Sequence, residues 1–141
     1  MNEKWQERTR LLAGEKTLER YANAHVLVVG LGGVGAYAAE QLCRAGIGEM
    51  TIVDADNVDI TNINRQLLAT TESIGTSKVS VMAQRLRSIN PDIRLHEVHE
   101  FLRDEGTIRL LESTKFDYVV DAIDTLSPKV FLIYFTMKMN I

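Results

Sequence analysis

The chain has 141 residues, with 16 Lys+Arg against 19 Asp+Glu and a formal net charge of -3, so no global basic field argues for nucleic-acid binding by charge alone. Hydrophobic residues make up 45% and charged residues 25%, which describes one soluble globular domain and excludes a disordered or low-complexity chain. The single Cys43 excludes an internal disulfide or a cysteine-rich zinc site within these residues and fits a reducing, cytoplasmic compartment.

Met1 to Arg10 is charged and polar, unlike a secretory leader. The densest apolar run, Val130 to Phe135, falls far short of the ~20 residues of a membrane-spanning helix, so no membrane partner is expected. Residues 1–24 are expected to form an N-terminal helical segment ahead of a nucleotide-binding domain over 25–141. Val26 to Val29 is a short continuous apolar run rich in β-branched residues, the mark of a strand buried on both faces. A glycine-punctuated helix from Gly33 to Ala45 follows it, on which Cys43 reads as a packed core residue. After Gly46 and Gly48, Met50 to Val53 repeats the strand pattern.

Between Ser77 and Asn90 the apolar Val79, Met82, Ala83, Leu86 and Ile89 fall at helical spacing, and Asn90-Pro91 stops the helix. Ile93, Leu95 and Val98 to Phe101 suggest a third strand, Asp104 to Glu112 a short helix, and Tyr118 to Ile123 a fourth strand. Ser127 before Pro128 reads as a hydroxyl cap and a first-turn proline, opening a last helix to about Asn140 that is apolar nearly all round. Strands alternating with helices predict an α/β, Rossmann-like parallel sheet with helices on both faces, ending here after the fourth strand and its following helix. Ligands of such a sheet sit at the carboxyl ends of its strands. A helix without a polar face implies cover, from further strands of a longer protein or from an oligomer interface.

Gly30, Gly32 and Gly35 fit the G-x-G-x-x-G fingerprint between a strand and a helix, with Gly33 as a fourth glycine. Such a loop brings backbone close to a phosphate at a helix N-terminus, and taken alone it suits a nicotinamide or flavin dinucleotide. Asp54, twenty-four residues after Gly30, stands where an acid would accept from ribose hydroxyls of NAD or ATP alike. Asp56 and Asp59 follow it, and either reads equally as a solvated or turn-forming residue. T-N-I-N-R-Q, Thr61 to Gln66, and Lys78 shift the balance, because a triphosphate carries about four negative charges and calls for added cations or a metal. Arg65 offers a planar fork and Lys78 a point charge, though by itself each reads equally as a surface residue. Asn62 and Gln66 have amides for ribose, phosphate or backbone. Asp124, at the end of D-A-I-D-T, could hold magnesium through hard oxygen, whereas Asp121 inside the strand reads as structural. The spacing of His25, His96 and His99 shows no metal-ligand constellation.

Together, G-L-G-G-V-G, D-A-D, T-N-I-N-R-Q, T-S-K and D-A-I-D resemble, in order and spacing over nearly the whole chain, the adenylating family of ThiF, MoeB, HesA and the ubiquitin-activating enzymes. The resemblance implies an α/β nucleotide domain, usually dimeric, in which a carboxylate attacks the α-phosphate of ATP and releases pyrophosphate. It implies that Gly30, Gly32, Gly33 and Gly35 form the phosphate loop, with Asp54 and Asp56 at the ribose. Asn62, Arg65, Gln66 and Lys78 would surround the phosphates, and Asp124 would coordinate Mg2+. E-R-T-R-L-L-A-G resembles a segment whose arginine reaches the partner's ATP, which assigns Arg8 to that role with Arg10 as the fallback. The same opening and D-A-I-D-T-x-S-P-K are most similar to the branch of tRNA threonylcarbamoyladenosine dehydratases, which implies a tRNA partner. The neighbouring branch implies a small ubiquitin-like sulfur-carrier protein instead. An NAD-dependent oxidoreductase and a non-catalytic nucleotide-binding module are the rival readings from other classes.

Overall fold

Residues 3–141 are described by a computed structural model. Its sheet is built around β1 (His25–Val29), which is buried along its whole length because it has a parallel neighbour at each edge and packed side chains over each face. One is β2 (Glu49–Val53) and the other β4 (Tyr118–Asp121), while β3 (Arg94–Val98) pairs with the outer edge of β2. The order is thus β3-β2-β1-β4, all parallel. The alternation of side chains along a strand then divides the core in two. Val26 and Val28 join Met50 and Ile52 beneath α3 (Gly35–Ala45) and α4 (Lys78–Ile89), through Ala36, Ala39, Met82 and Leu86. Leu27 and Val29 face the other way, toward α5 (Glu105–Ser113) and α6 (Leu126–Lys138), with Leu111, Phe116 and Leu132.

The expected α/β, Rossmann-like architecture with helices on both faces is therefore present. Two helices, α1 (Glu7–Ala13) and α2 (Glu15–Asn23), precede β1, and α2 buries Leu18. Cys43 is packed inside the first core, where burial pushes its thiol up to about 11 and leaves it a small apolar residue at neutral pH. No helix among the described residues is long and apolar enough to cross a membrane. Along α6, Pro128, Leu132 and Thr136 are buried, whereas Leu126, Val130, Ile133, Tyr134 and Met137 remain exposed.

Several boundaries differ from the sequence pattern for local reasons. The third strand ends at Val98 and does not continue to Phe101, because its last pairing is with Val53 and the Val98 carbonyl accepts the Asp54 N–H. α3 begins at Gly35, two residues later than predicted, since Gly32 to Val34 form the turn itself. β4 stops at Asp121, which frees residues 122–125 as a loop. α6 starts at Leu126 after Thr125, so Ser127 is no cap and Pro128 sits in the first turn, where its missing N–H has no intrahelical partner to lose.

The histidines need a larger correction. Parallel register aligns His25 with Glu49 and Thr51 with His96, and the possible ligand atoms of His25, Glu49 and His96 lie within 4.8 Å of one another. Three distant sequence positions meet only through strand pairing, which no spacing rule along the chain could reveal. Burial against the sheet lowers the His25 pKa below its ordinary value, opposed by the Glu49 carboxylate.

Candidate active site

At the carboxyl ends of the strands the chain encloses a crevice of about 520 Å3. Its floor is set by two glycines. Gly30 has φ +93°, and a Cβ there would come within 2.6 Å of the Ala122 carbonyl oxygen. A Cβ on Gly35 would collide with the Gly30 carbonyl, so its bareness lets α3 seat its first turn against the end of β1. Gly32 and Gly33 differ: added Cβ atoms would meet nothing nearer than Gln66 Nε2 at 3.8 Å and the Arg65 carbonyl at 3.6 Å. Packing does not require glycine at these two positions. What their bareness provides is access to backbone N–H groups at the start of α3.

Asp54 braces this loop. Its Oδ2 accepts the Leu31 N–H at 2.7 Å and its Oδ1 accepts the Asp56 N–H at 2.8 Å, so one carboxylate ties the end of β2 to the glycine turn. Lys78, almost fully buried, donates from Nζ to Asp56 Oδ2 at 3.2 Å and from its backbone N–H to the Asp56 carbonyl at 3.0 Å. A cation is thus held under the mouth of the crevice. Ser77 Oγ accepts the Ser80 N–H and caps the helix that carries it.

The T-N-I-N-R-Q stretch folds as a short 3-10 turn over Ile60–Asn62, closed by reciprocal capping between Asp59 and Asn62. This explains Asp59 as a turn residue and fixes Asn62, whose Oδ1 accepts the Asp59 N–H at 2.9 Å. Arg65 curls onto the same turn, donating from Nη1 to the Thr61 carbonyl at 3.0 Å and to Asn64 Oδ1 at 2.9 Å, both exposed contacts that a phosphate can replace. Gln66 is buried in the crevice wall, and its Oε1 has no hydrogen-bond partner among the described residues. A buried unpaired acceptor is costly, and a ligand hydroxyl or, with the amide turned over, a phosphate oxygen would satisfy this side chain.

On the opposite wall, Asp121 accepts the Ile123 N–H at 3.0 Å and the Lys129 Nζ at 2.7 Å, which pins the β4–α6 loop as the structural reading expects. Asp124 projects from that loop, exposed, with Thr125 Oγ1 at 3.5 Å as its hydrogen-bond partner. It is a carboxylate free to meet a hard cation.

Gly30, Gly32, Gly33, Asp54, Asp56, Asn62, Arg65, Gln66, Lys78 and Asp124 therefore all line one crevice. Gly35 stands behind it as a packing residue, and exposed Arg8 on α1 is not in its wall. Sequence reasoning missed Glu100, Phe101 and Leu102, which also line the crevice, with the Arg103 guanidinium 5.0 Å over the Phe101 ring. The available signal was their place just after β3, since ligands of parallel sheets contact every strand end around the crevice.

With this geometry established, comparison with known proteins is decisive about ancestry. The profile of the ThiF family matches residues 6–141. The chain belongs to the ThiF family. Within that family, this ThiF-family chain is 42% identical over 144 residues to the tRNA threonylcarbamoyladenosine dehydratase of Escherichia coli, an alignment that covers 100% of the chain and 53% of the relative. It is 38% identical over 111 residues to the sulfur carrier protein adenylyltransferase of Thermus thermophilus, covering 79% of the chain and 40% of that protein. The crystal structure of the E. coli dehydratase TcdA in complex with ATP superposes with a TM-score of 0.95 at 42% identity, over 99% of this chain and 57% of that one. The chain spans about half the length of the curated relatives it matches.

Proposed function

We propose that this ThiF-family chain is the ATP-binding part of an enzyme that adenylates a carboxylate. One observation carries the reading: Arg65, Lys78 and Gln66 converge with the bare Gly32–Gly33 backbone in a single crevice that also holds Asp54, Asp56, Glu100 and Asp124, donors for a phosphate chain beside carboxylates that can meet a ribose or a metal ion. Similarity to a dehydratase solved with ATP supports the same ligand.

The chemistry asked of these residues is positioning and charge neutralisation. A substrate carboxylate oxygen bonds to the α-phosphorus of ATP while the bond from that phosphorus to the pyrophosphate breaks. The N–H groups of the glycine loop orient the phosphates, Arg65 leaves its contacts with Thr61 and Asn64 to fork onto phosphate oxygens, and Lys78 balances the departing charge. Asp54 keeps the loop in register while its outer lone pairs face the ribose. Asp124 would hold Mg2+, which when bound neutralises phosphate charge. No side-chain nucleophile takes part.

The similarity to tRNA threonylcarbamoyladenosine dehydratases favours the carboxylate of a modified adenosine in tRNA as the substrate. An internal nucleophile of that substrate then displaces AMP, and the product is cyclic with net loss of water. A cytoplasmic homodimer in which Arg8, or Arg10, reaches the partner's ATP completes the proposal. The second reading, activation of the C-terminus of a sulfur-carrier protein, is supported by the similarity to adenylyltransferases.

Pyrophosphate exchange into ATP by the full-length protein tests the proposal. Exchange stimulated by tRNA carrying the modified adenosine, and not by the unmodified tRNA, is the expected result. Stimulation by a carrier protein ending in glycine would select the second reading. Binding of NAD tighter than Mg-ATP in calorimetry, or nucleotide binding without exchange for any carboxylate, would overturn both.

A further inference from the structure

We propose that the amino ends of β1 and β2, with the middle of the edge strand β3, form a divalent-metal site of zinc type, built from His25, Glu49 and His96 away from the crevice. All three side chains leave the sheet on the face that carries Leu27, Val29 and Val53, because His25 and Glu49 open their strands in register and His96 pairs with Thr51. Glu49 Oε1 lies 2.7 Å from His96 Nε2 and 3.7 Å from His25 Nδ1. Ligand atoms around a tetrahedral zinc with bonds of about 2.0–2.1 Å are about 3.3 Å apart, so the two separations bracket the required one. Small rotations of one exposed and one half-buried side chain close the set.

The surroundings favour a built site over a chance encounter. The buried His25 ring is steadied by Thr51 Oγ1, 2.9 Å from Nε2, and by packing at 4.6 Å against Phe116. Arg94 donates from Nε and Nη2 to Glu49 Oε2 at 3.2 and 3.1 Å, which fixes the carboxylate and leaves Oε1 turned toward both histidines. Such outer contacts are how proteins orient metal ligands. His96 is half exposed, giving an entry path and a water position, and two imidazoles with one carboxylate are a donor set suited to zinc, cobalt or nickel more than to magnesium or calcium. A bound ion would clip three strands together at this end, adding to the Arg94–Glu49 ion pair. The site is independent of the nucleotide crevice and of any reading of it.

Calorimetric titration of the chelator-treated protein with Zn2+, and absorption in the visible with Co2+, test this directly. One equivalent is expected to bind, to give tetrahedral cobalt bands and to raise the thermal midpoint. Because His25 is a core residue whose replacement can unfold the chain, the informative variants are His96→Asn and Glu49→Gln, each expected to weaken zinc at least about tenfold. His99→Asn and Asp124→Asn should leave zinc affinity unchanged, and His96→Asn should leave ATP affinity unchanged. Zinc binding of equal strength in folded His96→Asn, or no stoichiometric binding by the parent protein, overturns the proposal.

Discussion

Asp54 Oδ2 accepts the Leu31 N–H at 2.7 Å, so the acid expected at the ribose also fixes the loop expected at the phosphates. Two parts of the crevice are therefore one mechanical unit. Asp54→Ala is expected to weaken ATP by about ten- to hundredfold, the equivalent of ~1.5–3 kcal/mol for hydrogen bonds to a charged group, and to lower the thermal midpoint of the free protein. Asp54→Asn, which keeps one acceptor, should fall between. An unchanged midpoint with weakened ATP would leave Asp54 a ligand contact and no brace.

Gly35 and Gly32 belong to one fingerprint but do different work, and a pair of alanine substitutions separates them. Gly35→Ala puts a methyl into the Gly30 carbonyl and is expected to destabilise the fold by more than about 3 kcal/mol. Gly32→Ala makes an ordinary contact with Gln66 Nε2 at 3.8 Å, so stability should change by less than about 1 kcal/mol while nucleotide affinity falls. Denaturant unfolding alongside ATP titration reads both quantities. Equal destabilisation by the two variants would contradict this division.

Arg65 and Gln66 are neighbours in sequence with opposite preparations for a ligand, one already bonded to its own turn and one left unsatisfied. Arg65→Ala should weaken ATP more than AMP, because its role lies with the outer phosphates, and the difference should shrink as salt rises. Gln66→Leu removes a buried unpaired acceptor, so the free protein should be as stable as the parent or more stable by up to about 1 kcal/mol, while ATP binds more weakly. A loss of stability would show that Gln66 is satisfied in the free protein.

Glu40 is buried on α3 and receives charge-assisted hydrogen bonds from Arg85 of α4 and Arg44 of its own helix. Chiefly the Arg85 bond, with Arg44 adding to it, holds its carboxyl below the usual carboxylate range. A depressed folded-state pKa gives stability that is fully present above the unfolded value and is lost as pH falls through the folded one. Glu40→Gln is thus expected to cost about 1–2 kcal/mol at neutral pH, with the gap to the parent closing below about pH 4. Melting curves across that range check the sign.

Periodicity found the elements where local burial is strong: Val26 to Val29 reads as an interior strand and Val79 to Ile89 as a one-sided helix, whereas β3, an edge strand with no buried residue, was extended past its true end at Val98. The ends of elements were less legible. Ser127 and Pro128 look like a helix start, yet the loop pinned by Asp121 and Lys129 lets the helix begin two residues earlier. At the site, glycines, acids and cations were legible because phosphate chemistry demands those types after those strands. Phe101 was not, since a lone aromatic beyond an edge strand carries no charge pattern. The meeting of His25, Glu49 and His96 was invisible for a different reason, being a product of register across three strands.

The central place of β1 also governs when the molecule can become itself. Its second neighbour lies far downstream: the His25 N–H bonds Asp117 Oδ2 across 92 residues. At a synthesis rate of about 5–20 residues per second, β1 waits on the order of 5–20 s for β4 to leave the ribosome. Until then one edge of the central strand is unpaired and the side of Leu27 and Val29 lacks its cover. The nascent chain must therefore survive a half-built sheet, and this long-range pairing is expected to slow its folding.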